Sequence, residues 1–204
     1  LNQLKKDGFT FDVGPSFFSM SYEFTEGYQI RNQGATHFLT FTIEGWVDLL
    51  SRRIYKDLLL ESFAYCRKNK NLQIHAFVLM SNHVHTIWTA KDNNLSDIIR
   101  DFKTFTSKSF IKIINETPES RREWLLHMFK FYGKGSIANK IYKIWTNDNH
   151  PEEIYSQEFF YQKLQYIHEN PVRAGIVYDE MDYVYSSARN YANRKSIFEI
   201  DFIW

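Results

Sequence analysis

The chain has 204 residues, 44% of them hydrophobic, and a formal net charge of +1. That supports one domain with a real core; it excludes a chain disordered by composition and one drawn to nucleic acid by global charge alone. The single cysteine, Cys66, excludes an intramolecular disulfide, and no apolar run is long enough to span a bilayer, so a reducing cytoplasmic setting without membrane contact is expected.

In chain order, residues 1–20 read as an N-terminal extension outside the functional domain, with Met20 as a natural start of the functional unit. Residues 37–43, rich in aromatic and β-branched side chains, predict a first strand. From residue 47 to 68 apolar positions Leu50, Ile54, Leu58 and Phe63 recur at helical spacing, with Arg67 and Lys68 suited to a helix C-terminus. Residues 73–80 and 83–88 predict a hairpin closed by the Ser81-Asn82 turn. A helix follows over 95–114, with Ile98, Phe102, Phe105, Phe110 and Ile113 as its apolar positions, then a break at Thr117-Pro118 and a helix over 121–131. Residues 133–136 read as a basic loop, 140–145 as a fourth strand, and Asn147 to Pro151 as a turn cluster. A helix from 156 is predicted to stop near Asn170, because a residue before proline is pushed away from helical geometry. The remainder reads as a packed tail, with residues 193–204 as its end. Strand, helix, two adjacent strands, helix, strand is the order of an α+β, ferredoxin-like split βαβ-βαβ fold: an antiparallel sheet with helices on one face, plus additional helices.

Two motifs carry chemistry. In Asn82-His83-Val84-His85 the imidazoles point the same way on a strand. In Tyr166-Ile167-His168-Glu169-Asn170-Pro171 the phenol and the carboxamide share a helix face. Two neutral ring nitrogens and an amide oxygen suit a divalent cation such as Mg2+ or Mn2+ better than a closed zinc site. A phenol keeps its proton at neutral pH, so Tyr166 as a nucleophile needs that cation beside it. Its attack on a phosphodiester would leave a covalent phosphotyrosine link whose bond energy a second strand end can use. Each piece also has a plain structural reading: a half-buried strand histidine, a helix rim tyrosine, a helix stop. His75 and His150 are read as structural or rim residues, His168 as facing away from Tyr166, and Trp145 as core.

The stretch from residue 100 to 143 holds ten basic and four acidic side chains. Within it Lys103, Lys108, Lys112, Arg121, Arg122 and Lys134, with Arg173 beyond it, are the candidate DNA contacts; a solvated helical face explains the same charges.

At Met80-Ser81-Asn82-His83-Val84-His85, at Trp145-Thr146-Asn147-Asp148-Asn149-His150-Pro151, and at Tyr166 through Val177, the chain resembles the REP-associated tyrosine transposases of the single-tyrosine HUH superfamily. The resemblance covers roughly residues 21–192. It implies a ferredoxin-like catalytic core, a cation held by His83 and His85 with Asn170 completing the site, and Tyr166 as nucleophile. It also implies single-stranded DNA with hairpins or inverted repeats as substrate, acted on in the bacterial cytoplasm at the nucleoid. Relatives include obligate homodimers that place the tyrosine helix across subunits, and monomers, so both stay open. Separately, Gly8 to Pro15 resembles a short segment of flavin-dependent carotenoid desaturases; the glycine loop for such a cofactor is missing, so no flavin is implied.

Three functions follow for comparison. The first is a metal-dependent single-strand DNA endonuclease and strand-transferase. The second is a non-catalytic DNA- or RNA-binding protein that keeps the scaffold. The third is a hydrolase of small phosphoesters, disfavoured by the basic stretch and the lack of a phosphate-cradling glycine loop.

Overall fold

The computed structural model describes residues 29–134 and 141–203. The expected extension over residues 1–20 lies outside the described residues, as do residues 135 and 136 of the expected basic loop. The centre of the fold is an antiparallel sheet of β1 (His37–Thr42), β2 (Leu72–Leu79), β3 (His83–Ala90) and β4 (Glu152–Glu153), ordered β2-β3-β1-β4. β2 and β3 form the expected hairpin, closed by the Met80 amide donating to the His83 carbonyl at 2.9 Å.

Alternation along the strands sorts their side chains onto two faces. Leu39, Phe41, Phe77 and Trp88 share one face through the pairings Leu39↔Thr86, Phe41↔Val84 and Phe77↔Thr86. Helices α1 (Arg53–Asn69) and α2 (Leu95–Glu116) cover it: Phe63 meets Trp88 edge-on at 5.5 Å, and Phe102 lies 5.5 Å from both Phe41 and Trp88. Each of these fully buried rings contributes roughly 1.5–3 kcal/mol of transfer free energy. α3 (Arg122–Gly133) packs on α2. The opposite face carries Phe38, Thr40, Thr42, Val78, His83 and His85. It is covered by α4 (Gln157–Arg173), whose Phe160, Leu164 and Ile167 are buried as the spacing predicted.

Several expectations need correction. α1 begins at Arg53, because two short 3-10 turns, Glu44–Trp46 and Leu49–Ser51, precede it, and Leu49 and Leu50 are buried from the second. Its buried stripe runs through Tyr55, Leu59, Phe63 and Cys66, leaving Ile54 exposed. On α2, Phe105 is exposed and Thr106 takes the buried position. The fourth strand does not occupy the described part of 140–145. There, Trp145 makes only an isolated bridge to Ile43, and the paired residues are Glu152 and Glu153, opposite Phe38 and His37. The chain does run along the edge of β1, with Thr146 N donating to Thr42 O and Thr40 N to Asn149 O. The Asn147 to Pro151 cluster bulges out of that run, with His150 at φ 40°, so regular pairing resumes only beyond it.

α4 also continues through Asn170 and Pro171 to Arg173. Its end is closed by a Schellman motif: Gly175 at φ 69°, its amide on Val172 O, and the Ile176 amide on Pro171 O. That cap, with Pro171 buried, outweighs the local preference against helix before proline.

The chain beyond α4 covers the other sheet edge. Leu79 N donates to Tyr185 O and Ser187 N to Phe77 O, after which α5 (Ala188–Tyr191) follows. Asp201 then ties the tail to β2, donating its amide to Ile74 O and accepting from Ile74 N and from His75 Nδ1, the latter at 2.6 Å. The β2 edge is therefore occupied, and the opposite edge ends in the two-residue β4, which blunts edge-to-edge association. Among the described residues no helix is long and apolar enough to cross a membrane.

Candidate active site

β3 presents His83 and His85 on the face that α4 crosses, opposite Thr42 and Thr40 of β1. Their ring centroids lie 4.7 Å apart. Ser156 caps α4 by accepting from the Phe159 amide at 3.2 Å, which sets the helix phase over the sheet. The Tyr166 ring then stands 5.0 Å from His85 and 6.0 Å from Phe38, while Asn170, one turn on, lies beside the His83 side chain. Tyr166 is 37% exposed, and among the described residues its hydroxyl makes no hydrogen bond. The four residues singled out in the sequence meet in one place, from one chain.

The second nitrogen of each imidazole is held. Asn82 donates from Nδ2 to the Trp46 carbonyl at 3.3 Å, so its Oδ1 faces His83 Nδ1, 2.7 Å away. An amide oxygen only accepts, so the His83 proton sits on Nδ1 and the Nε2 lone pair is available. His85 Nδ1 is bonded to Thr40 Oγ1 at 2.9 Å. Burial lowers the pKa of His83, partly opposed by Asn170 beside it. Burial, then His83 and Lys163, push His85 down to about 3. Both rings are therefore neutral donors near pH 7. Among the described residues no three His, Cys, Asp or Glu side chains cluster as a metal site; the Asn170 amide stands beside the imidazole pair. Two oriented neutral imidazoles and an amide oxygen fit a divalent cation that keeps open positions for phosphate oxygens and water.

The remaining candidates are placed as follows. Arg173 sits 5.5 Å above the Tyr166 ring and is ion-paired with Glu169. Lys103 Nζ donates to the Thr146 carbonyl, and Lys108 faces the groove between α2 and residues 141–149. Lys112 lies 3.9 Å from Glu116, and Arg121 pairs with Asp48 at 2.6 Å. Arg122 donates to the carbonyls of Ile114 and Thr117, closing the end of α2, and Lys134 ends α3. Of the seven, Arg173 alone touches the Tyr166 cluster among the contacts described. His75 is buried on Asp201 and Thr89, His168 is buried on Ser187 away from Tyr166, and Trp145 is core, as read from the sequence.

The sequence reading missed Thr40 and Lys163. Thr40 is identified only by strand register. Lys163 was readable: it lies three residues before Tyr166, on the same helix face. It pairs with Glu152 at 2.6 Å and lies 4.6 Å over the Phe38 ring.

A sheet-borne imidazole pair is thus faced by a tyrosine on a helix of the same chain. Residues 37–153 match the family described as "Transposase IS200 like". That is more than half of the chain, which belongs to this family; the matched segment holds both histidines and ends just before α4. A solved structure of a REP-associated tyrosine transposase bound to a REP hairpin is similar at a TM-score of 0.60 and 20% identity, covering 88% of this chain and 92% of that one. At that identity the likeness speaks for the fold. No curated protein matches the chain.

Proposed function

We propose that this transposase-family chain is a metal-dependent single-strand DNA endonuclease and strand-transferase that works through a 5′-phosphotyrosine at Tyr166. The observation that carries the proposal is the meeting of the Tyr166 ring with His85 at 5.0 Å, with His83 4.7 Å from His85 and Asn170 beside it. His83, His85 and Asn170 would hold Mg2+ or Mn2+, which when bound offsets the negative charge that builds on the phosphoryl oxygens. Asn82 and Thr40 hold the two rings in the orientation a ligand needs.

Tyr166 Oη attacks the phosphorus; the Oη–P bond forms, the P–O3′ bond breaks, and the departing 3′ oxygen takes up a proton. The phenolic proton passes to solvent, which reaches the partly exposed ring. Attack of another 3′-hydroxyl on the phosphotyrosine reverses the step, restores the phenol and joins the new strand.

The REP hairpin in the structural neighbour supports a hairpin-bearing single strand as substrate. Arg173, Lys103, Lys108, Lys112, Arg121, Arg122 and Lys134 are the proposed phosphate contacts. The functional unit is placed within residues 21–192, acting in the cytoplasm on nucleoid DNA. The test is cleavage of a labelled hairpin-bearing single strand in Mn2+. Tyr166→Phe is expected to abolish cutting while keeping DNA binding; cutting at the wild-type rate by Tyr166→Phe would remove the proposal.

A further inference from the structure

The observation lies on the same face of α4, toward its start. Tyr155 remains 80% exposed although its ring is stacked on Phe159, centroids 4.9 Å apart and planes within 17°. Lys163 Nζ then lies 5.2 Å over the Phe159 ring and 4.6 Å over Phe38. Phe38 in turn stacks on His85 at 5.4 Å and meets Tyr166 edge-on. Rings and one ammonium group thus form a continuous ladder from open solvent to the proposed nucleophile.

Helix packing alone does not account for Tyr155. A residue just before an N-cap that staples its helix packs on the fourth helical position, which here is Phe160. Tyr155 instead lies flat on Phe159, and its second face meets solvent. The ladder is fixed from below: Glu152 holds Lys163 at 2.6 Å, and Lys163 holds both rings beneath it. With the Lys163 charge matched by Glu152, this surface recognises a flat aromatic group better than a phosphate. An unstacked nucleobase has that shape, and stacking on an exposed aromatic ring is tolerant of base identity. Phe159 is seven residues before Tyr166, about 10 Å along the helix, which is within reach of the bases beside a phosphate held at Tyr166.

We infer that Tyr155, supported by Phe159 and Lys163, is a stacking subsite for one unpaired base of the strand flanking the cut. It rests on the proposed function and adds a positioning residue to it: Tyr155 fixes where the strand lies relative to Tyr166.

The test is fluorescence anisotropy with a labelled hairpin oligonucleotide carrying a single-stranded thymidine tail, in wild type, Tyr155→Ala and Tyr155→Trp, with one abasic site walked along the tail. Tyr155→Ala is expected to bind the intact tail about tenfold more weakly, and Tyr155→Trp to bind it normally. One abasic position should weaken wild type to the same extent and leave Tyr155→Ala unaffected. Unchanged affinity in Tyr155→Ala, or losses that add at every abasic position, overturns the subsite alone. So does a change in sedimentation with DNA binding intact, which would make Tyr155 a contact between copies of the chain. A wild-type chain that binds no single strand overturns the subsite and the proposed function together.

Discussion

Asn82 gives the sharpest separation between holding the cation and doing the chemistry. Its Oδ1 accepts from His83 Nδ1 at 2.7 Å, and its Nδ2 is anchored on the Trp46 carbonyl. Asn82→Ala removes the acceptor, so His83 is free to turn and to carry its proton on either nitrogen. The bond itself is worth about 1 kcal/mol. Lost orientation of a ligand adds to that, and removing such a supporting partner costs about 10- to 100-fold in metal affinity, or roughly 1.4–2.8 kcal/mol. Asn82 is not expected to touch substrate, so the loss should fall on affinity alone. Two assays check this: calorimetric titration of Mn2+ into DNA-free protein, and strand cutting across a Mn2+ series. The expected result is a midpoint raised in both by the same factor, with the wild-type cutting rate recovered at saturating Mn2+. A midpoint that does not move, with a cutting rate depressed at every Mn2+ concentration, would refute the reasoning.

The loop between α2 and α3 is tied to α1 by Glu119, a buried carboxylate that accepts from Arg52 at 2.7 Å, the Tyr55 hydroxyl at 2.8 Å and the Arg121 amide at 3.1 Å. Burial raises its pKa, but these bonds outweigh burial and leave it below the usual carboxylate range. Glu119→Ala leaves a buried hydroxyl and an amide without their acceptor and is expected to cost about 1–3 kcal/mol for each orphaned group in urea unfolding, against about 1 kcal/mol for Tyr55→Phe. Equal losses would contradict the network. At the tail, burial pushes Asp201 up while Arg67 and the Ile74 amide pull it further down, leaving it depressed; burial also depresses His75. A depressed carboxyl contributes stability above its unfolded pKa of about 3.9 that is lost as pH falls through the folded value. The depressed histidine contributes stability above about 6.5 that is lost on acidification. The thermal midpoint should therefore fall in two stages from pH 7 downward. Asp201→Asn should flatten the lower stage and, by removing a charge that favours the His75 imidazolium, deepen the upper one; loss of the upper stage in that variant would contradict the assignment.

Much of the site was legible because it depends on local periodicity. Alternation places His83 and His85 together on any strand, and the four-residue spacing places Tyr166 above Asn170 on any helix. That the two surfaces face each other was supplied by the family resemblance, since pairing of α4 with the sheet depends on contacts distant in sequence. What failed did so for physical reasons. Glu152–Glu153 is too short to show a pattern, and its place beside β1 follows a bulge that only backbone hydrogen bonds reveal. Leu49 and Leu50 mimic a helical stripe while being buried from 3-10 turns. The proline rule before Pro171 gave way to a cap three residues further on, at Ala174-Gly175-Ile176. Counting charges over residues 100–143 could not show that Arg122 closes α2 or that Arg121 is paired with Asp48.

The central claim is that one phenol in this chain takes up the cut strand. Incubation of wild-type protein with Mn2+ and a hairpin-bearing single strand, followed by proteolysis and mass spectrometry, tests it directly. The account predicts a 5′-nucleotide adduct on the peptide that contains Tyr166, absent in Tyr166→Phe. Strand cutting with the adduct on a different tyrosine, or with no covalent adduct at any stage of the reaction, would contradict it.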